Sequence, residues 1–248
     1  MPEEPTPVLD KDTIDFDAVY RGEPLAAGGE VAFPVIPWDL GEPQPMVLEL
    51  VREVAFRDEV LDAGCGLGDN AIMLAGRGLR VTGIDCSATA LESARERAAA
   101  AGVRVDFVQA DATSLTGLDG RRFATVLDSA LYHCLGDEDR HRYIAELHRV
   151  TEPEAQLHLV CWAEGSSAAA RHPMGVSESN LRTTVGVLWD VREIRSTTLS
   201  TGLVRDSLTD EQIDRFRQLG ATIDRDRAPV DNKGRVSGPA WYLRAVRR

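Results

Sequence analysis

A turn built on three glycines is the feature of this 248-residue chain that most restricts how it can fold. In the stretch "VLDAGCGLGDN", residues 60–70, a short apolar run ends in Asp62, and glycine then occupies positions 64, 66 and 68. Glycine adopts positive φ readily and lets a ligand approach the backbone, while the N-terminus of a following helix attracts polar groups. The stretch therefore predicts a strand, a turn that cradles a ligand, and a helix.

Short apolar runs alternate with helical patterns along most of the chain. The runs that predict strands are "EVLDAG", "RVTGID", "VRVDFVQAD", "FATVLDSA", "QLHLVCW", "DVREIRSTTLS" and "AWYLRAVR". An Ala-rich helix lies between an N-cap at Ser87 and a stop at Gly102, and residues 161–175 are expected to form a surface loop. Strands and helices joined by short links predict an α/β fold: a Rossmann-like, doubly wound, mostly parallel seven-stranded sheet with helices on both faces.

The composition limits the partners of the chain. A formal net charge of −12 and the lack of any Lys/Arg run argue against nucleic acid, because clustered basic side chains hold phosphate backbones. No apolar stretch is long enough to span a membrane, and the segment "MPEEPTPVLDKD" is acidic where a secretion signal would be basic. We therefore expect a cytoplasmic monomer or homodimer that acts on a small molecule. The four cysteines stand far apart, so neither a metal nor a disulfide is expected.

Acidic residues at the ends of three strands limit which ligands the pocket can bind. A dinucleotide fingerprint G-x-G-x-x-G would need glycine where this chain has Asp69. Asp62 would repel a pyrophosphate but suits a sulfonium or ammonium group. Asp85 can accept both hydroxyls of a ribose, and Asp111 can accept an exocyclic amine. The set describes a pocket for S-adenosylmethionine (SAM); the alternative is that these acids only form turns and caps at strand ends.

These motifs resemble those of the class I SAM-dependent methyltransferases. "VLDAGCGLG" is similar to the first motif of that family, "GIDCSATAL" to its second-strand acid, "QADAT" to its adenine-side motif, and "ATVLDSALYHCL" to its fourth strand and following loop. The resemblance is close over residues 42–163. It implies one domain, 1–248, with an N-terminal arm or lid at 1–41, a SAM-binding core at 42–163 and a substrate-side part at 164–248. One departure is "EPEA", residues 152–155, where the family has a Pro-Gly-Gly turn.

The segment "VYRGEPL…IPWDLGEPQPMVLEL" narrows the resemblance to actinobacterial small-molecule methyltransferases related to the thiol and thiopurine methyltransferases. In those proteins an arm that bears Tyr or Trp closes over the cofactor. The resemblance therefore implies a lid from about Tyr20 to Gln44. Within it, Trp38 either stacks on the cofactor or only packs the lid.

The strand ends and the resemblance together give a set of candidate site residues. His133 is the candidate general base, with Tyr132 beside it to orient the acceptor or close the pocket; a structural histidine is the alternative. Asp128 and Ser129 are expected to reach the methionine part of SAM, or else to cap a helix. The other four histidines receive no role. The candidates for cofactor binding are Tyr20, Trp38, Asp62, Gly64, Cys65, Gly66, Gly68, Asp85, Cys86, Asp111, Ala112, Asp128 and Ser129.

The expected function is methyl transfer from SAM to an S, O or N nucleophile of a small molecule by in-line displacement, with S-adenosylhomocysteine as product. Such an enzyme mainly aligns the acceptor with the S–CH3 bond and excludes water, which requires no metal. Two alternatives remain at this point. One is a protein that binds SAM or a nucleoside without transfer activity. The other is a nucleotide-dependent oxidoreductase, which Asp69 disfavours.

Overall fold

The computed structural model describes residues 14–25, 32–33, 35–165 and 169–248. The helices are α1 (Phe16–Tyr20), α2 (Pro45–Glu53), α3 (Asp69–Gly76), α4 (Ala88–Ala100), α5 (Asp137–Val150), α6 (Glu178–Val185) and α7 (Asp210–Gln218). The strands are β1 (Val60–Ala63), β2 (Val81–Asp85), β3 (Asp106–Gln109), β4 (Phe123–Ser129), β5 (Thr151–Trp162), β6 (Ala170–Arg171), β7 (Trp189–Val204), β8 (Thr222–Ile223) and β9 (Arg235–Arg247). Within these ranges, none of the helices has the length and apolar character needed to cross a bilayer.

Seven of these strands form one sheet in the order β3-β2-β1-β4-β5-β9-β7. The first five pair in parallel, whereas β9 runs antiparallel to both of its neighbours. The predicted Rossmann-like, mostly parallel seven-stranded sheet is thus confirmed. The strand order reverses at β1, which has β2 on one side and β4 on the other. In a sheet of this kind the ligand crevice lies beyond the carboxyl ends of the strands at that reversal.

Helices cover both faces of the sheet, as predicted, because successive strand residues point to opposite faces. Val60 of β1 packs in one cluster with residues of α2, α3 and α4, among them Leu91. Leu61, the next residue, packs in a second cluster with Ile144 of α5 and Leu181 of α6. Ser87 caps α4 because its hydroxyl oxygen accepts a hydrogen bond from the backbone N–H of Ala90, as its sequence position indicated.

The stretch "EPEA" forms an irregularity within β5 that is made without glycine. Glu154 adopts a φ of 59°, in the left-handed region. The pairing of β4 with β5 shifts at this point, from Phe123 opposite Thr151 to Thr125 opposite Gln156. The shift absorbs the extra residues and leaves Ala155 fully buried in the core.

A small cap near the C-terminus was not predicted. The segment 161–175, expected as a surface loop, contains β6, and its Ala170 pairs with Ile223 of β8. We call β6, β8 and α7 together the cap. Phe33 of the arm stacks on Phe216 of α7, with ring centroids 5.3 Å apart, so that the arm and the cap meet. The loop prediction was wrong here because a two-residue strand is too short to show an alternating pattern.

Candidate active site

The crevice of the sheet opens into a cavity of about 660 Å³ between the carboxyl ends of the strands, the arm and the cap. This volume is typical of small-molecule sites. We call the part at Gly66 and Asp85 the turn side, and the part at His133 and Phe216 the cap side. Of the predicted site residues, those that line the cavity are Tyr20, Trp38, Gly64, Cys65, Gly66, Gly68, Asp85, Cys86, Asp111, Ala112, Ser129 and His133.

The three glycines of the turn differ in what they leave room for, although all have positive φ, of 68°, 51° and 85° in chain order. A Cβ on Gly64 would lie 2.8 Å from Cβ of Leu131, and one on Gly68 would lie 3.0 Å from an aromatic ring of β3. These two glycines therefore permit packing around the turn. A Cβ on Gly66 would instead lie 2.8 Å from Oη of Tyr20, which lines the cavity. Gly66 therefore leaves room at the cavity wall for the hydroxyl of Tyr20 against the turn.

Asp85 ends β2 and organises the turn. Its Oδ2 accepts a hydrogen bond from the backbone N–H of Gly66 and its Oδ1 accepts one from that of Ser87, each at 2.9 Å. Burial raises the pKa of the Asp85 carboxyl, and these two amide bonds oppose that rise. A carboxylate can accept about four hydrogen bonds. Asp85 therefore keeps capacity for ligand hydroxyls after it has bound the turn.

Asp111 and two thiols complete the turn side. Oδ1 of Asp111 accepts hydrogen bonds from the backbone N–H and the hydroxyl of Thr113, each at 2.7 Å, which holds the carboxylate at the cavity wall. Burial raises the pKa of Cys86 to about 11 and the pKa of Cys65 well above its ordinary value. Both thiols are therefore protonated at neutral pH and serve as small, weakly polar lining groups.

The structure corrects the prediction for Asp128, which does not line the cavity. Its Oδ1 accepts hydrogen bonds from the backbone N–H groups of Leu131 and Tyr132, at 2.9 and 3.3 Å. Its Oδ2 accepts one from the hydroxyl of Tyr143 at 2.9 Å. Because both oxygens bind protein groups, Asp128 caps the turn after β4. Capping was the alternative that the sequence analysis gave for Asp128. Its neighbour Ser129 does line the cavity.

Asp62 lies beneath the turn rather than on the cavity wall. It is only 1% exposed, and its Oδ2 has no hydrogen-bond partner among the described residues. Burial, and secondarily the charge of Asp128, raise the pKa of Asp62 to about 8. Asp62 is therefore not among the residues that line the cavity. The unpartnered oxygen instead leaves one unsatisfied acceptor under the turn side.

His133, the candidate base, lines the cavity at its cap side. It is 5% exposed, and its Nδ1 is buried without a hydrogen-bond partner in the described part of the chain. Burial, then the neighbouring His172 and Arg140, lower the pKa of His133 well below its ordinary value. The imidazole is therefore neutral near pH 7, with one ring nitrogen free of a proton. An unsatisfied buried nitrogen is also a group that a bound ligand would satisfy.

Tyr132 is the second correction. Its side chain is fully buried, and its hydroxyl donates a hydrogen bond to Oδ1 of Asn180 at 2.9 Å. The guanidinium of Arg140 lies 5.2 Å from the centre of its ring. The chain forms a 3₁₀ turn over Tyr132–Cys134, which sends Tyr132 toward α6 and His133 toward the cavity. Tyr132 supports the wall and is not placed to orient an acceptor.

Two cap-side residues had no role in the sequence analysis. His172 and Trp162 both line the cavity, and their rings stack with centroids 4.9 Å apart and an angle of 8° between planes. The His133 ring meets His172 edge to face, at 5.2 Å and 78°. Trp162 ends β5, and that position at the carboxyl end of a core strand was the available signal. His172 follows 166–168, outside the described residues, and no strand pattern precedes it.

The described part of the arm lies over the turn side. Nε1 of Trp38 donates a hydrogen bond to Oη of Tyr20 at 2.8 Å, and both side chains line the cavity. Burial is the main cause that raises the pKa of Tyr20 well above its ordinary value, and the charge of Asp85 adds to it. Residues 26–31 and 34 of the predicted lid lie outside the described residues.

Polar contacts join the arm to the core at two points. Oδ1 of Asp17 accepts hydrogen bonds from the hydroxyl of Ser87, at 2.6 Å, and from a backbone N–H at the start of α4. Further along, the guanidinium of Arg97 bridges Asp39 of the arm and Asp69 of α3, at 2.9 and 3.1 Å. The arm is therefore fastened to the two helices that border the turn side.

The fold and the cavity define a class I SAM-dependent methyltransferase, and the chain belongs to that family. A family described as "Methyltransferase domain" matches residues 60–154, which contain the glycine turn, Asp85 and Asp111. The enzyme prediction is thereby confirmed. A SAM-binding protein without transfer activity and an oxidoreductase are both set aside.

Particular relatives extend this likeness to nearly the whole chain. The chain is 34% identical to 2-heptyl-1-hydroxyquinolin-4(1H)-one methyltransferase of Mycobacteroides abscessus, over 94% of this chain and 96% of that protein. A solved structure from work on the conversion of a disulfide bond into a thioacetal group during echinomycin biosynthesis is 30% identical, with a TM-score of 0.71, over 94% of this chain and 91% of that one. Magnesium protoporphyrin IX methyltransferase from Synechocystis PCC 6803 with bound SAM shares the fold, at 20% identity and a TM-score of 0.53, over 82% of this chain and 76% of that one.

The residues of the turn side fit SAM. Gly66 lets the Tyr20 hydroxyl lie against the backbone of the turn, where a Cβ would come within 2.8 Å of that oxygen, and both residues line the cavity. Asp85 lines the cavity with acceptor capacity for ribose hydroxyls. A cationic amino-acid tail bound above the turn would favour the ionised form of Asp62, whose Oδ2 has no partner among the described residues. The individual contacts of these residues with SAM remain predictions.

We expect Gly66→Val to weaken binding of S-adenosylhomocysteine by about 100-fold or more, equivalent to about 2.7 kcal/mol. The new side chain would occupy the approach to the turn, 2.8 Å from Oη of Tyr20. Titration calorimetry measures the affinity. Gly78→Val is the matched control, because Gly78 also has positive φ but a Cβ there meets nothing within 4 Å. A folded Gly66→Val protein with normal affinity would show that the ligand lies elsewhere.

Asp62 should make the ligand-free protein less stable as pH rises. The pKa of its carboxyl is about 8 in the folded protein, above the value near 4 of an unfolded chain. Its contribution to stability is therefore present below pH 4 and lost as pH rises toward 8. Relative to wild type, Asp62→Asn should gain unfolding free energy by up to about 1.4 kcal/mol per pH unit between pH 5 and 8.

Urea unfolding at several pH values tests this expectation. Glu92→Gln, at an exposed position of α4, is the control. Its free energy of unfolding should change with pH as that of wild type does. If the free energy of unfolding of Asp62→Asn also changes with pH as it does in wild type, Asp62 does not change its protonation state on unfolding in this pH range.

Proposed function

We propose that this enzyme methylates an acidic hydroxyl group of a flat, largely apolar small molecule bound on the cap side of the cavity. The observation that carries the proposal is the buried, neutral His133, whose Nδ1 has no partner among the described residues. An acceptor hydroxyl would supply the missing hydrogen bond. The name of the M. abscessus relative, a methyltransferase of a hydroxyquinolinone, supports the same class of acceptor.

The lining of the cap side supports a neutral, apolar acceptor. Of the described residues, no Lys or Arg lines the cavity, so a multiply charged anion would find no counter-charge there. The cap side presents mainly aromatic and aliphatic groups, among them Phe33, Trp162, Met174, Phe216 and Leu219. Flat aromatic rings and short alkyl chains are the groups that such a surface favours.

The division of tasks follows from the geometry. When bound, SAM supplies a methyl group that its positively charged sulfur already activates. Asp85 holds the ribose, and His133 takes the proton of the acceptor hydroxyl as that oxygen becomes the nucleophile. The arm and the cap exclude water. Alignment of bound reactants can be worth roughly 7–11 kcal/mol, and a general base typically adds 10²- to 10⁴-fold in rate.

A sulfur acceptor is the second candidate. It is favoured by the relative studied in the conversion of a disulfide into a thioacetal, and by the resemblance of the arm to thiol and thiopurine methyltransferases. A thiolate needs no general base, because it is already ionised near neutral pH when its pKa is low. On this alternative His133 would only shape the wall.

A panel of acceptors incubated with methyl-labelled SAM tests the proposal. The panel contains 2-heptyl-1-hydroxyquinolin-4(1H)-one, simple phenols and aromatic thiols. Transfer of label to the hydroxyl compounds with kcat/KM well above that for the thiols supports the proposal. Transfer to thiols alone would favour the second candidate, and no transfer to either would reject both.

We propose that the arm acts as a lid over the turn side. The contacts of Asp17 and of Arg97 support a closed position. Amide hydrogen exchange should slow in residues 14–25 and 35–44 when S-adenosylhomocysteine binds, and removal of residues 1–41 should reduce its affinity. Exchange in α5, which does not line the cavity, is the internal control. If amide exchange in the arm does not change on binding, and the truncated protein binds S-adenosylhomocysteine with full affinity, the arm is only a structural extension.

We further propose that the enzyme works in the cytoplasm as a monomer or homodimer, with a small molecule and no nucleic acid as its partner. The net charge of −12 supports the last point, because a negatively charged surface repels phosphate backbones. Size-exclusion chromatography with light scattering distinguishes the two oligomeric states.

A further inference from the structure

His172 presents a fixed hydrogen-bond donor on the cap side. Its Nδ1 accepts a hydrogen bond from the backbone N–H of Met174 at 3.3 Å. Burial lowers the pKa of His172 to about 3, so that the ring is neutral. Because one nitrogen of a neutral imidazole is the acceptor, the single proton resides on the other, Nε2. His172 is thus restricted to donating from Nε2.

The orientation of this donor is also fixed. The His172 ring stacks on Trp162 at 4.9 Å and 8°. Trp162 is in turn held against Gly238, where an added Cβ would lie only 2.7 Å from Cζ3 of the indole. Glycine at this position therefore leaves room for the indole, and the indole sets the plane of the imidazole.

The two imidazoles of the cap side are complementary. His133 has an unpartnered Nδ1, whereas His172 has a donor at Nε2. Both imidazoles line the cavity and their ring centroids lie 5.2 Å apart, so one small flat molecule can lie against both rings. A molecule that satisfies the pair needs a hydroxyl for His133 and a separate oxygen with a lone pair for His172.

We propose that His172 is an acceptor-binding residue whose Nε2–H donates a hydrogen bond to a second oxygen of the acceptor, and that the enzyme thereby selects flat rings carrying both a hydroxyl and a carbonyl-type oxygen. This inference rests on the proposed function and makes its acceptor class more specific. A buried donor left without its partner is costly, so an acceptor that lacks the second oxygen is disfavoured.

His172→Phe tests the proposal, because phenylalanine preserves the ring on Trp162 and removes the donor. The probes are 2-heptyl-1-hydroxyquinolin-4(1H)-one, which has both oxygens, and 2-naphthol, which has only the hydroxyl. For the quinolinone, kcat/KM should fall roughly 10- to 100-fold, mainly through KM, and for 2-naphthol it should change little. His172→Gln, which retains a donor, should recover part of the loss. His141→Gln, at an exposed position of α5, is the control.

Gly238→Ala provides a second variant in case His172→Phe does not fold. It should displace the indole of Trp162 and reproduce the selective loss for the quinolinone, without a change in affinity for S-adenosylhomocysteine. Gly76→Ala is its control, because a Cβ there makes only an ordinary contact at 3.9 Å. A Gly238→Ala protein that keeps the wild-type preference for the quinolinone would count against the proposal.

The outcomes separate this inference from the proposed function. If wild type methylates the quinolinone and His172→Phe does so equally well, the role of His172 is wrong and the proposed function stands. If wild type methylates neither probe, the proposed function falls, and calorimetry of the quinolinone with protein loaded with S-adenosylhomocysteine decides the inference. If the quinolinone binds His172→Phe more weakly than wild type, the inference about His172 is retained. If it binds both equally, or neither, the inference is overturned.

Discussion

His133→Gln is expected to lower kcat for a hydroxyl acceptor by about 100- to 10,000-fold while the affinity for S-adenosylhomocysteine stays unchanged. Glutamine preserves much of the volume and polarity of the buried side chain but cannot take up a proton. The loss should therefore appear in the transfer step. Since burial holds the pKa of His133 well below its ordinary value, protonation of this imidazole should not reduce the wild-type rate between pH 6 and 8.

Single-turnover transfer of labelled methyl measures that step, and calorimetry checks cofactor affinity. His141→Gln is the control, because His141 is exposed on α5 and does not line the cavity. A normal rate for folded His133→Gln with a hydroxyl acceptor would remove the general base from the mechanism. Transfer to a thiol, which needs no general base when its pKa is low, should stay near the wild-type rate in the same variant.

Asp85→Ala is expected to weaken binding of SAM and S-adenosylhomocysteine by about 3 kcal/mol or more, which is over 100-fold. Two effects combine. The variant loses charge-assisted hydrogen bonds to the ribose hydroxyls. It also releases the backbone N–H groups of Gly66 and Ser87 that the carboxylate holds at 2.9 Å, so that the turn is less well ordered before the ligand arrives.

Calorimetry on Asp85→Ala and Asp85→Asn separates the two effects. Asparagine retains one acceptor oxygen for the backbone but lacks the charge, so it should lie between alanine and wild type. Glu92→Ala, on the exposed side of α4, controls for a general loss of negative charge. Unchanged affinity in a folded Asp85→Ala protein would contradict the assignment of the ribose to this strand end.

Much of the fold was readable from the sequence because its main elements have strong local patterns. The run "DEDRHRYIAELHRV" matches α5 residue for residue, since its apolar positions recur at helical spacing and an acidic first turn precedes them. The pairing partners of β6 and β8 lie about fifty residues apart in a cap held together by side-chain packing. No short-range pattern reports such a contact.

The turn side of the site was also predictable, because its chemistry is confined to short motifs at strand ends. The cap side was less so. Tyr132 and His133 are neighbours in sequence, and only the 3₁₀ turn decides which of them lines the cavity. His172 reaches the site through its stacking on Trp162, which depends on tertiary structure. Asp128 was correctly placed at the end of β4, but its hydrogen bonds make it a cap for the turn that follows.

The cavity is assembled from three stretches of chain, namely the arm, the strand ends within residues 60–154, and the part from Trp162 onward. The family match at residues 60–154 contains the glycine turn and its acids, whereas Trp162, His172 and Phe216 come from beyond it. Under the proposed roles, a substitution at Trp162, His172 or Phe216 is expected to alter which molecule is methylated and to leave binding of the methyl donor at the glycine turn unchanged. The part of the chain beyond the family match is then where the choice of acceptor can change.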